Sequence, residues 1–201
     1  MEREALLSSL RMKGYGSGII DAFERVKREK FIPQNLIGFA YDDIALPIET
    51  GSTISQPSTI AFMLDLLELK VDSKVLEIGS GSGYVLALMS EIVLEGEIYG
   101  LEIIQKLAVK SSAILSENKI VKIFNKEGSE GLPKFAPYDR ILISASSADM
   151  RIPMNLTEQL KDNGIIVAAV GQSIVQLKKQ NGKIQKKEFP GFAFIPLRKG
   201  E

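Results

Sequence analysis

Lys74-Val75-Leu76-Glu77-Ile78-Gly79-Ser80-Gly81-Ser82-Gly83-Tyr84 decides how this chain folds. Val75 to Ile78 is a short apolar run of strand length. Gly79, Gly81 and Gly83 follow at alternate positions, and Tyr84 to Val93 resumes with helical spacing. Strand, glycine turn and helix in that order form the ligand-binding corner of a doubly wound α/β sheet. Glycine lacks a Cβ, so such a turn can take positive φ and a ligand can come close to the backbone. A tight turn with no ligand is the alternative that the glycines alone leave open.

The spacing narrows the ligand. A dinucleotide fingerprint wants glycine at the first, third and sixth positions, to seat a pyrophosphate on the helix N-terminus. Here the sixth position is Tyr84 and the fifth is Gly83. Glu77 sits near the strand's end, where a carboxylate repels a pyrophosphate but can hold an ammonium group. S-adenosylmethionine carries an ammonium and no phosphate, so the pattern favours it over NAD or ATP.

Working outward, Glu97 to Leu101 is a second strand ending at Glu102, 25 residues after Glu77. That is about where a ribose-binding acid belongs in a βαβ unit. An exposed acid at a helix start is the other reading of Glu102. Ile104 to Ser116 is amphipathic, and Val121 to Asn125 is a third strand followed by Glu127-Gly128, which either meets adenine or makes a turn. Arg140 to Ile143 is a fourth strand, Met154 to Leu160 a helix, and Gly164 to Val170 a fifth strand ending at Gly171. Asn181-Gly182 between alternating segments, Ile174–Lys179 and Lys183–Lys187, signals a hairpin, with a last apolar strand at Phe192–Leu197.

Upstream, residues 2–30 read as two helices, with Ile19, Ile20, Phe23 and Val26 as an apolar stripe. Arg25, Lys27, Arg28 and Lys30 are taken as a solvated face. Residues 34–56 lack clean periodicity, and a loop that long in a compact domain is usually functional or disordered. Pro57 opens a helix to about Leu69, with Ser55 or Gln56 at its cap.

Composition closes off several chemistries. The 201 residues are 45% hydrophobic and 25% charged with zero formal net charge, so no strong field draws the chain to nucleic acid or a membrane. Without cysteine, histidine or tryptophan there is no disulfide, Cys/His zinc site, thiol nucleophile or imidazole base. No apolar run has the length of a membrane span, and the first residues, Met1-Glu2-Arg3-Glu4, do not resemble a signal peptide. The expectation is one cytoplasmic domain over 1–201: helices and a covering loop (1–57), a cofactor-binding core (58–171), and a hairpin with a last strand (172–201).

Several stretches together resemble one family, the protein-L-isoaspartate O-methyltransferases. They are Phe31-Ile32-Pro33, Ala40-Tyr41-Asp42, Leu46-Pro47-Ile48, Thr53-Ile54-Ser55-Gln56-Pro57, Val75 to Tyr84, Tyr138-Asp139, Val170-Gly171 and Phe194-Ile195-Pro196-Leu197. The resemblance implies a Rossmann-like, mostly parallel seven-stranded sheet with N-terminal helices and an antiparallel C-terminal hairpin. It implies methyl transfer from S-adenosyl-L-methionine, yielding S-adenosyl-L-homocysteine, to the free α-carboxylate of L-isoaspartyl residues in damaged proteins and peptides. By the same resemblance Ser55 is the active-site hydroxyl, and Thr53, Ile54 and Ser55 cover the cofactor's methionyl end. Glu77, Gly79, Ser80, Gly81 and Gly83 cradle that end, Glu102 binds ribose, Glu127 and Gly128 meet adenine, and Ser144, Ala145, Val170 and Gly171 face the substrate. No metal, nucleic acid or membrane enters this picture.

The chain departs from the family at Lys126-Glu127-Gly128, where Gly-Asp-Gly is usual, and at Gly51-Ser52-Thr53, where Gly-Gln-Thr is common. Ser144-Ala145-Ser146-Ser147-Ala148-Asp149 replaces an alanine-rich segment with proline. A methyltransferase for another carboxylate acceptor, and a binding module without turnover, stay open on the sequence. The chemistry fits the inventory: a carboxylate with pKa near ~4 is ionised at neutral pH and needs no base to accept a methyl group.

Overall fold

The structure, a computed structural model, describes residues 2–144 and 152–192. Helices α1 (Arg3–Met12) and α2 (Ser17–Arg25) open the chain and bury Leu6, Leu7, Leu10, Ile19, Ile20 and Phe23. The second helix stops before the basic run ends: Val26 is extended and Arg28–Phe31 is a 3-10 turn. Helical-face reasoning therefore fails at Arg28, which is fully buried instead of solvated.

The stretch without periodicity is ordered. It contains a 3-10 turn (Gln34–Phe39) and a two-residue antiparallel ladder, β1 (Leu46–Pro47) against β2 (Thr53–Ile54). Helix α3 (Pro57–Leu67) follows, with proline at its start, where a missing N–H costs nothing. The remaining elements are β3 (Lys74–Ile78), α4 (Tyr84–Ser90), β4 (Glu97–Glu102), α5 (Gln105–Ile114), β5 (Val121–Asn125), β6 (Tyr138–Ile143), α6 (Met154–Glu158), β7 (Leu160–Val170), β8 (Ser173–Gln180) and β9 (Lys183–Pro190). Leu160, expected to end a helix, begins β7 instead, because it pairs with Tyr138 of β6. Apart from Phe192, the strand expected at Phe192–Leu197 lies outside the described residues.

The seven strands run in the order β5-β4-β3-β6-β7-β8-β9, with β3 to β7 parallel and β8 and β9 antiparallel. Strand alternation splits the core into two layers. Val75, Ile98, Leu142, Ile165 and Val167 face α3, α4, α5 and the N-terminal helices. Leu76, Ile78, Tyr99, Leu101, Ile141, Ile143 and Ile166 face Leu132, Tyr138 and Leu156 on the other side. The chain leaves β3 in one direction to β4 and β5 and returns on its other side to β6 and β7, so the crevice for a ligand opens at the carboxyl end of β3.

Candidate active site

Gly79, Gly81 and Gly83 have φ of 78°, 53° and 83°, the left-handed conformation that strains any L side chain. That allows the chain to leave β3 and enter α4 within a few residues. The Gly79 and Ser80 N–H groups both donate to the Leu101 carbonyl (2.8 and 3.0 Å), and the Gly83 N–H donates to the Ser80 carbonyl (2.8 Å). The helix side of the turn is tightly packed: a Cβ on Gly83 would lie 2.9 Å from Ser111 Cβ. The Gly81 side is open, its nearest neighbour being Ile48 Cδ1 at 3.8 Å. Gly128 brings the loop after β5 against the end of β3, where a Cβ would come within 2.3 Å of Ile78 Cγ2.

Two acids flank the turn. Glu77 shares the Val75 face of β3, in register with Gly100 and Leu142. Its Oε1 accepts from the Ser144 hydroxyl at 2.5 Å, while Oε2 is buried with no hydrogen-bond partner among the described residues. Burial pushes this carboxyl up to about 8; the Ser144 bond opposes the shift and the charge of Glu102 adds to it. Glu102 ends β4, its Oε2 accepting the Gly81 N–H and its Oε1 the Ile104 N–H, both at 2.8 Å. Each of those oxygens keeps a lone pair for a further donor. Ser80 Oγ, three residues on, is also buried and has no partner among the described residues.

The β1–β2 ladder covers this corner. Ile48 stands over Gly81, and Glu49 ties the ladder's tip to α5 through Lys106 (2.8 Å) and Lys110 (3.0 Å). Ser55 follows β2. Its carbonyl accepts from Arg28 Nη2 at 3.0 Å, and its hydroxyl has no hydrogen-bond partner among the described residues. The cap of α3 comes instead from Asp43, whose Oδ1 accepts the Ser58 N–H at 2.8 Å and whose Oδ2 accepts from Gln56 at 3.2 Å. Gln56 holds the cap position without capping through its own side chain.

An unpaired buried carboxylate oxygen beneath an open glycine turn suits a cationic ligand group, since an ammonium would satisfy it. A diphosphate is not suited to this corner, because the Glu102 carboxylate that holds the Gly81 N–H would repel it and, among the described residues, no basic side chain hydrogen-bonds the turn. Among the described residues no group of three or more acidic, histidine or cysteine side chains could hold a metal ion.

The family model for protein-L-isoaspartate(D-aspartate) O-methyltransferase matches residues 1–201. The chain belongs to this family. A protein-L-isoaspartate O-methyltransferase of Dictyoglomus turgidum is 39% identical over all of this chain and 92% of its own length. One from Methanocella arvoryzae is 42% identical over 87% of this chain and 95% of its own. A solved protein-L-isoaspartate O-methyltransferase superposes with TM-score 0.90 at 27% identity, over 98% of this chain and 66% of that one. A Plasmodium falciparum structure assigned to the same family, in complex with S-adenosyl-L-homocysteine, superposes with TM-score 0.85 at 25% identity over the full length of both chains. The seven-stranded Rossmann-like fold is thus the methyltransferase fold of this family.

Within that frame the expected residues divide. Glu77, Ser80, Gly81 and Glu102 come together around the turn, with Gly128 against Ile78. Glu127 uses both oxygens on Ser129, accepting its N–H at 2.8 Å and its hydroxyl at 2.5 Å. The Ser144 hydroxyl is directed at Glu77, a contact the sequence does not announce. Val170 and Gly171 end β7 on the same sheet edge as Ile78 and Ile143, while Ala145 lies outside the described residues. Arg28, Asp43 and Glu49 escape sequence reasoning. None of the three has a local signal: Asp43 caps α3 from 15 residues upstream, not from the N-cap position, which Gln56 holds.

Proposed function

We propose that this corner carries the family's reaction: methyl transfer from S-adenosyl-L-methionine to the free α-carboxylate of an L-isoaspartyl residue in a damaged protein or peptide. The cofactor supplies the methyl group on a sulfonium; the carbon–sulfur bond breaks as a carbon–oxygen bond forms, and in the ester product the neighbouring backbone amide nitrogen attacks the ester carbonyl, expelling methanol and closing a succinimide. The acceptor is already an anion at neutral pH, so the protein needs no base. Its work is to align the two reacting atoms and keep water out, which in well-oriented systems is worth about 7–11 kcal/mol.

Glu77 Oε2 would take the ammonium and Glu102 the ribose hydroxyls, while Gly79, Gly81 and Gly83 leave the approach open. Thr53, Ile54 and Ser55 would close over the methionyl end, the Ser55 hydroxyl orienting the acceptor carboxylate. Gly128 would line the adenine side with Glu127, and Ser144 would fix Glu77 in place. Val170 and Gly171 would meet the peptide. The observation that carries this reading is the buried oxygen of Glu77, without a partner among the described residues, at the end of β3 beside a glycine turn that Ile48 of the covering segment meets at Gly81.

The reading has the chain act as one domain in the cytoplasm, with proteins and peptides as its partners and without nucleic acid, membrane or metal. One core cluster running from Leu6 to Ile174 supports the single domain, and zero net charge supports the choice of partners. Incubation with methyl-labelled cofactor and an isoaspartyl peptide tests the reaction. Label in a cell extract but not in the peptide would point to another carboxylate acceptor. Cofactor binding with no label anywhere would point to a binding module.

A further inference from the structure

Arg28 is the most buried charged side chain among the described residues, with 0% of its surface exposed. Its guanidinium is held by backbone carbonyls. Nη1 donates to Ala40 (2.9 Å) and Asp42 (3.3 Å), and Nη2 donates to Ile44 (3.1 Å) and Ser55 (3.0 Å). Three of those carbonyls precede the β1–β2 ladder and the fourth follows it, so one rigid plane joins both ends of the covering segment. The guanidinium carbon also lies 6.0 Å from the centre of the Tyr84 ring. Tyr84 is the first residue of α4, immediately after the glycine turn.

A charge taken wholly out of water carries a large desolvation penalty, and an apolar side chain could have filled the space without it. What a guanidinium adds is geometry: planar, fixed donors that set several peptide planes at once. Holding the Ser55 carbonyl restrains its peptide plane and so narrows the directions open to its Cα–Cβ bond, and with them where its hydroxyl can reach. We propose that Arg28 is a positioning residue that holds Ser55 at its working distance from the glycine turn. This rests on the reading of Ser55 as the hydroxyl that orients the acceptor.

The test compares Arg28→Lys, Arg28→Gln, Ser55→Ala and both double variants in the full chain. Lysine keeps the charge without the plane, and glutamine keeps a planar amide without the charge. Four quantities are read: kcat and KM on an isoaspartyl peptide, affinity for S-adenosylhomocysteine by calorimetry, and melting temperature. Both Arg28 variants are expected to fold, to bind S-adenosylhomocysteine within about threefold of wild type, and to keep peptide KM. Their kcat should fall about 10- to 100-fold, the scale of a misplaced reacting group. In the Ser55→Ala background neither Arg28 change should cost anything further, because both act through one hydroxyl.

Normal kcat in the Arg28 variants, or losses that multiply with Ser55→Ala, would overturn the role of Arg28 while leaving that of Ser55 standing. Wild-type turnover in Ser55→Ala would remove both. Failure of both Arg28 variants to fold would make Arg28 a requirement of the fold and also overturn the proposal.

Discussion

Asp43 Oδ1 accepts the N–H of Ser58 at 2.8 Å, capping α3 from 15 residues upstream. The serine beside that helix start is therefore spared the duty that its position suggests. Burial works against ionisation of Asp43, but hydrogen bonds from Ser58 and Gln56 and the charge of Lys13 hold its carboxyl below the ordinary range. Its stabilisation is present at neutral pH and lost as pH falls through that lowered value.

From this follows a contrast between two substitutions. Asp43→Ala should lower stability by about 1 kcal/mol, the usual value of a helix cap. Ser55→Ala removes no side-chain hydrogen bond among the described residues and should stay within about 0.5 kcal/mol of wild type. Its turnover should nonetheless drop at least about tenfold, with cofactor affinity within a few-fold. Urea denaturation and steady-state kinetics give both numbers. A Ser55→Ala protein that unfolds easily and loses cofactor binding would make Ser55 structural.

Glu77 gives the protein a pH signature. Its carboxyl is raised to about 8 by burial, so between about pH 4 and 8 the folded chain keeps a proton that the unfolded chain releases. The stabilisation is complete below the unfolded pKa and disappears as pH climbs through the folded one, with a slope of up to about 1.4 kcal/mol per pH unit. Melting temperature should thus decline from pH 5 to 8 in the ligand-free protein and decline less in Glu77→Gln. Calorimetry of S-adenosylhomocysteine in buffers of different ionisation enthalpy should show proton release at pH 7 that the glutamine variant lacks. Identical pH profiles for the two proteins would contradict this account of Glu77.

The glycines differ in what they protect. Gly83→Ala forces a Cβ to within 2.9 Å of Ser111 at φ 83° and should cost about 2–4 kcal/mol, strain and overpacking together. Gly81→Ala meets nothing closer than Ile48 at 3.8 Å, so only the backbone strain of about 1–2 kcal/mol applies. Cofactor affinity should move the other way for its size, Gly81→Ala losing more than its stability change suggests because its Cβ enters the open side. Thermal melts paired with calorimetry separate the two. Equal ratios of affinity loss to stability loss would place the ligand elsewhere.

Glu102→Ala deletes acceptors for the Gly81 and Ile104 N–H groups as well as for a ribose. A lost hydrogen bond to a charged acceptor is worth about 1.5–3 kcal/mol, so S-adenosylhomocysteine should bind about 10- to 100-fold more weakly. Unchanged affinity would take Glu102 out of the site.

The central sheet was legible because its signals are local. The apolar run before the glycines, the acid at the end of β4 and the short strand Val121–Asn125 each lie within a few residues of sequence. The Asn181-Gly182 hairpin was equally plain, since its turn is read from two residues. Arg28 was not legible. Its partners lie 12 to 27 residues away, and the helix whose face it was assigned to ends at Arg25. The 34–56 segment was hidden for the same reason: carbonyls gathered on a buried cation have no sequence period. The Ser144 hydroxyl meets Glu77 across 67 residues of sequence, a contact that no local pattern carries.

The most direct test of the whole account is transfer of a labelled methyl group from S-adenosyl-L-methionine to a synthetic peptide carrying one L-isoaspartyl residue, run beside the same peptide with ordinary aspartate. Label should enter the isoaspartyl peptide alone, be released by base as an ester, and fall sharply with Ser55→Ala. No label in the isoaspartyl peptide, or equal label in both peptides, would contradict it.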